Sequence, residues 1–321
     1  MLTLESFEEA AAKVKEVTQE TKLIYSSYFS DMTGNKVYLK PENMQRTGAY
    51  KVRGAYYKIS TLSDEERNKG LITASAGNHA QGVAYAAHKY GVKAVIVMPT
   101  TTPLIKVERT KSYGAEVILH GDVYDEACAH ALALAEEKGY TFIHPFDDEE
   151  VIAGQGTIGL EILDSLEGVD AVIVPVGGGG LISGVACAVK NLRPDIKVYG
   201  VQAAGSASMF ESRRAGEAIT LETAATFADG IAVKHPGDIT YQMVNQYVDD
   251  IVTVSEDEIA AAILALLEKQ KVIAEGAGAV STAAVLFDKL PVRGKKVVSI
   301  VSGGNIDVNI LSRVMTRGVV T

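Results

Sequence analysis

Short apolar runs, many of them β-branched, alternate along this chain with longer amphipathic stretches. The short runs occupy 37–39, 71–73, 94–98, 116–119, 141–143, 171–176, 197–201, 250–254 and 297–301. Between them lie Ala-, Leu- and Glu-rich stretches with helical character, such as 122–138 and 257–271. This alternation predicts an α/β protein of mostly parallel strands with helices covering both faces. The run 171–176 is apolar throughout, as a strand buried on both faces must be. Ser6 followed by Glu9 predicts a capping box that opens an N-terminal helix. The strands between 71 and 143 are close together and predict a small unit, residues 69–148, set within a larger one made of 1–68 and 149–321. The expectation is two open, twisted sheets with a ligand cleft between them. No repeat, low-complexity tract or long polar linker interrupts the pattern.

Composition narrows the function. With 321 residues, 47% of them hydrophobic, the chain can bury a large core. Forty acidic against 31 basic residues give a net charge of -9. A nucleic-acid partner calls for the opposite balance, gathered on one face, and no basic stripe is present. Cys128 and Cys187 stand far apart with no Cys or His companions. Neither a disulfide framework nor a structural zinc is expected, which fits a reducing compartment. The N-terminal residues are acidic where a signal peptide would be basic. No apolar stretch reaches the roughly 18 residues that span a bilayer. The chain is therefore read as cytoplasmic, with neither a membrane nor a nucleic acid as partner.

Four segments carry chemistry. At 174–184 a buried strand runs into Gly177, Gly178, Gly179 and Gly180, and a helix starts at Leu181. Bare backbone N–H groups and the helix dipole converge there, which makes a phosphate cradle. The plainer alternative is a tight turn, but four consecutive glycines exceed what a turn needs. No Lys-Ser or Lys-Thr pair follows, so this is not an ATP-binding P-loop. A GxGxxG string at 154–159 follows an acidic stretch instead of a strand, which rules out the dinucleotide reading; those glycines are expected to let helices pack closely. The second segment, 42–59, holds Lys51 among small and apolar residues on a helix expected to start near Thr47. A lysine on a partly apolar surface has a lowered pKa and can form an imine, although one lysine alone is more often an ordinary surface residue. In the third, Ser75, Ala76, Gly77, Asn78 and His79 open a helix after a strand, where free N–H groups suit a carboxylate or a simple cap. In the fourth, a strand ends at Ser302 beside two glycines, where ligands of open α/β sheets sit.

In order and wording these segments, with ADGIAV at 228–233 and AEGAGA at 274–279, resemble the pyridoxal-phosphate (PLP) enzymes of fold type II, the tryptophan synthase β-like family. The resemblance runs from about residue 7 to 314 and is nearest to the threonine dehydratase and serine racemase branch, the catabolic threonine dehydratases above all. It implies PLP as cofactor, held as an imine on Lys51, with Tyr50 against the ring. Gly177, Gly178, Gly179, Gly180 and Leu181 would bind the phosphate, Asn78 the ring hydroxyl and Ser302 the ring nitrogen. Glu275 would sit near the ring and the substrate amine. Ser75, Ala76, Gly77, Asn78 and His79 would hold the substrate carboxylate. Lys51 would also act as general base at Cα.

Departures within the family sort the activities. Serine racemases place a serine at the position of Ala76, and an acidic metal-ligand pair where this chain has Gln202 and Ser208. Racemisation needs an acid–base group on each face of Cα, so Ala76 argues against it, and no metal is expected. Relatives that take a β-carboxylated substrate tend to carry an arginine about where Asp125 stands, which disfavours threo-3-hydroxyaspartate. The implied activity is deamination of L-threonine, and of L-serine, to a 2-oxo acid and ammonia. The alternatives are racemase or hydroxyaspartate dehydratase activity, β-replacement, threonine-synthase-like chemistry, and a non-catalytic amino-acid sensor on the same scaffold. Longer dehydratases continue into a C-terminal regulatory domain, so the chain either lacks one or is a catalytic fragment. A homodimer or homotetramer, and AMP as a nucleotide effector, are further implications of the resemblance.

Overall fold

The computed structural model describes residues 2–317. Its ten strands among these residues are β1 (Ile24–Ser26), β2 (Lys36–Pro41), β3 (Leu71–Ala74), β4 (Ala94–Met98), β5 (Glu116–Leu119), β6 (Thr141–Phe142), β7 (Ala171–Pro175), β8 (Lys197–Ala203), β9 (Asp250–Val254) and β10 (Lys296–Val301). They form two sheets, ordered β1-β2-β10-β7-β8-β9 and β5-β4-β3-β6. All neighbours are parallel except β1 and β2, an antiparallel edge pair that the sequence pattern did not reveal in so short a run. The strands of the smaller sheet all fall between 71 and 142.

The inner strands of both sheets are buried on both faces, and alternate side chains show it. Ala171 and Ile173 of β7 join one core with the helix Gly276–Leu286. Val172 and Val174 join another with the helices Glu149–Ser165 and Gly180–Leu192. The smaller sheet divides Leu71 and Ile96 from Ile72 and Val95 in the same way. This is why these runs are continuously apolar instead of alternating.

The first helix, Leu4–Val14, begins before Ser6. Its capping box is Thr3 with Ser6, because Phe7, Ala10 and Val14 are the buried face and the helix needs the earlier turn to present it. The glycines at 154–159 lie inside the helix Glu149–Ser165 and serve packing. A Cβ on Gly154 would stand 2.6 Å from Gly54 Cα, and one on Gly156 would stand 2.7 Å from Gly184 O. Three helices thus meet backbone to backbone, and the helix Val52–Thr61 is held behind the residue that precedes it, Lys51. Its Arg53 is fully buried and donates to Glu42 Oε2 at 2.8 Å and Glu161 Oε1 at 2.6 Å.

Candidate active site

Residues following β3, β7 and β10 border a cavity of about 900 Å³ lined from both sheet units. Every site residue named from the sequence borders it: Tyr50, Lys51, Ser75, Ala76, Gly77, Asn78, His79, Gly177, Gly178, Gly179, Gly180, Leu181, Glu275 and Ser302.

Strand β7 delivers the chain into the four glycines, and the helix Gly180–Leu192 starts on the last of them. Gly179, its cap, has φ +100°, a left-handed conformation that requires glycine, and offers no side-chain acceptor to the first turn. The first N–H groups of the helix therefore remain available to a ligand. A Cβ on Gly178 would lie 2.5 Å from the Phe146 ring, and one on Gly180 would lie 2.9 Å from Phe146 Cα. The cradle is bare backbone because Phe146 occupies the space where side chains would go.

Lys51 stands one residue outside the helix Val52–Thr61, as its cap, and not within a helix begun at Thr47. Gly48 at φ +76° breaks the chain, and its missing Cβ admits Asn305, whose Oδ1 would be 2.3 Å away. Tyr50 N–H donates to Ser302 O at 3.1 Å, stitching the lysine loop to the exit of β10. The Lys51 amine donates to Pro145 O at 2.6 Å and lies 5.4 Å from the Tyr50 ring centre. Burial without a carboxylate partner pushes it down to about 8.

The helix Asn78–Tyr90 also begins without a side-chain cap, at Gly77, and its first residues border the cavity. Ser75 Oγ accepts from Gly77 N at 3.2 Å and shapes the approach. His79 is buried, and its Nε2–H donates to Ile143 O at 2.9 Å. Burial and the nearby Lys51 charge push the imidazole down to about 3, so it is neutral, with Nδ1 unpaired. Asn78 Nδ2 donates to Glu275 Oε1 at 2.5 Å, while Asn305 Nδ2 donates to Asn78 Oδ1 at 2.8 Å. Burial, and then Asp229, raise the Glu275 carboxyl to about 7. Ser302 is buried, with its Oγ donating to Ala277 O at 3.3 Å.

Several cavity residues escaped the sequence reading. Pro145, Phe146, Asn305, Lys106 and Asp229 all border it. Lys106 of the helix Leu104–Ser112 pairs with Asp229 at 2.7 Å, across from one sheet unit to the other. The sequence signals for them are HPFD at 144–147, Asp229 within ADGIAV at 228–233 and the asparagine of SGGN. Gln202 and Ser208 lie elsewhere: Gln202 Oε1 accepts from Phe210 N at 2.8 Å, and Ser208 is buried. Among the described residues no three His, Cys, Asp or Glu side chains gather as a metal site. Asp125 borders the cavity.

A phosphorylated aldehyde fits this donor set. The cradle offers uncapped N–H groups in space that a Cβ would fill, and a depressed lysine amine opens on the same cavity.

Comparison with known proteins agrees. The chain is 56% identical to an L-threonine ammonia-lyase of Thermotoga maritima over 100% of its own length and 80% of that protein. It is 49% identical to a catabolic L-threonine dehydratase of Escherichia coli over 92% of this chain and 90% of that one. Among solved structures it superposes with TM-score 0.94 on the processed form of threonine deaminase isoform 2 from Solanum lycopersicum, at 42% identity, covering 99% of this chain and 89% of that one. Maize serine racemase gives TM-score 0.93 at 37% identity, covering 99% and 98%. The family model described as "Pyridoxal-phosphate dependent enzyme" matches residues 14–303, so the chain belongs to that family, with pyridoxal phosphate as its cofactor.

Proposed function

We propose that the protein is an L-threonine ammonia-lyase, which also accepts L-serine. Threonine gives 2-oxobutyrate and ammonia; serine gives pyruvate and ammonia. The observation that carries this reading is the Lys51 amine, depressed by burial and opening on the cavity that also holds the glycine cradle.

Pyridoxal phosphate, when bound, supplies an electron sink for the carbon that bears the amino group. Gly177, Gly178, Gly179, Gly180 and Leu181 would hold its phosphate, and Tyr50 would lie against its ring. Asn78 and Ser302 would address the ring's polar atoms, Ser302 with a neutral hydroxyl that imposes no charge. Lys51 would hold the cofactor covalently. Once released, its amine takes the Cα proton as general base, worth roughly 10²–10⁴-fold in rate. A folded-state pKa near 8 leaves a useful share of that amine unprotonated at neutral pH. The uncapped N–H groups of Asn78 and His79 would receive the substrate carboxylate. Neutral His79 orients this loop through Ile143 O instead of supplying charge. Ala76 in the cavity wall carries no proton, so the surroundings favour loss of the β-hydroxyl over racemisation.

Residues 69–148 form the unit that closes over the substrate, with the Lys106–Asp229 ion pair as a link across the opening. No helix among the described residues is long and apolar enough to cross a membrane. A cytoplasmic location, a homodimer or homotetramer, and AMP as effector complete the proposal; sedimentation with and without AMP tests the last two.

The decisive experiment is Lys51→Ala. The variant is expected to show no imine absorbance with PLP and no 2-oxobutyrate from threonine alone. Release of 2-oxobutyrate by the variant would refute the role of Lys51. Failure of the native enzyme to release it without a second nucleophile would point to β-replacement.

A further inference from the structure

The helix Asp238–Tyr247 has no cap of its own, since its cap residue is Gly237. A residue far away in sequence supplies one. Asp147 Oδ1 accepts the N–H groups of Ile239 and Thr240, both at 3.0 Å, and Oδ2 accepts that of Asp238 at 3.0 Å. Gly237 is glycine because a Cβ there would stand 2.2 Å from Asp147 Oδ1. The helix so anchored touches the cradle. Thr240 Oγ1 donates to Gly178 O at 2.6 Å, and the absent Cβ of Gly179 would lie 2.8 Å from Thr240 Cβ. The carbonyl of Gly178 is thus tied down on the side away from a ligand, which leaves the N–H groups of the loop aimed inward.

The neighbours of Asp147 complete the arrangement. Phe146 fills the space over Gly178 and Gly180, and Pro145 O accepts the Lys51 amine at 2.6 Å. His144 Nδ1 accepts the N–H groups of Phe146 at 3.2 Å and Asp147 at 2.8 Å, which fixes the turn. Three consecutive residues therefore touch the lysine, the cradle and the helix that braces the cradle.

We propose that Asp147 and Thr240 are positioning residues that set the shape of the phosphate cradle, with Asp147 acting through Thr240 and the Gly178 carbonyl. The proposal rests on the reading that residues 177–181 hold the cofactor's phosphate. It predicts an effect on phosphate recognition that a general loss of stability would not produce.

The experiment compares PLP with pyridoxal, which lacks the phosphate. Holoenzyme of the native protein, Asp147→Asn, Thr240→Val and Thr240→Ser is dialysed to equilibrium against a concentration series of each compound, and bound cofactor is read by its absorbance. The ³¹P resonance of bound PLP is recorded in parallel. Asp147→Asn and Thr240→Val are each expected to weaken PLP about tenfold, as loss of one charge-assisted or buried hydrogen bond implies. Pyridoxal binding should stay within about twofold, because without a phosphate the shape of the cradle is not felt. The ³¹P line should shift in both variants and return in Thr240→Ser, which restores the hydroxyl. Equal weakening of PLP and pyridoxal, or unchanged PLP binding with an unshifted ³¹P line, overturns the proposal. If the native protein itself holds PLP no better than pyridoxal, the reading of the cradle fails first and the proposal with it.

Discussion

Burial of Lys51 has a cost that can be measured apart from catalysis. Its amine has an ordinary value of 10.5 and a folded-state value of about 8. Between these two pH values the unfolded chain binds a proton that the folded chain does not. Stability therefore rises with pH across that window, and below it the folded protein bears the whole penalty, about 3 kcal/mol at 1.36 kcal/mol per unit. Lys51→Met keeps a long stem and removes the charge. It also strips Pro145 O of its donor, which costs about 1 kcal/mol. The cofactor-free variant should thus exceed the cofactor-free native protein by about 2 kcal/mol at pH 7. At about pH 9.5 the protonation penalty has fallen to about 1 kcal/mol, and the gain should vanish. Urea unfolding of both proteins at the two pH values reads the difference directly. A gain equal at both pH values would mean that packing, not charge, governs the site. No gain at pH 7 would mean that the amine is solvated, and the basis for its catalytic reactivity would go with it.

Other expectations concern the cradle, the scaffold and the choice of reaction. Gly178→Ala drives a Cβ to 2.5 Å from the Phe146 ring and should cut PLP affinity at least about a hundredfold, read by equilibrium dialysis. Arg53→Met leaves Glu42 buried with its main partner gone and should cost about 3–5 kcal/mol in urea unfolding; a loss below about 1 kcal/mol would show the network to be solvated. Ala76→Ser puts a hydroxyl on the cavity wall and should bring D-serine formation from L-serine, detected by chiral chromatography, with none expected from the native enzyme.

Much of this was legible in the chain itself. The run 94–98 coincides with a strand, and 171–176 contains one, because burial on both faces leaves an unbroken apolar signature. The tetraglycine loop declared itself by residue type, and the fold supplies the reason: a positive φ at Gly179, and Phe146, Met209 and Thr240 where Cβ atoms would stand. What stayed hidden depends on surfaces that meet only after folding. The fall of the Lys51 amine to about 8 comes from desolvation, and its one anchor, Pro145 O, lies 94 residues away. Asp147 looked like one acid in an acidic stretch until the fold set it against a helix start 91 residues on. Lys51 itself was expected inside a helix, whereas Gly48 and Asn305 turn the chain so that it caps one instead. Local sequence determined which backbone segments form and where they must bend. Tertiary structure decided which polar groups lose water together, and that loss sets their chemistry.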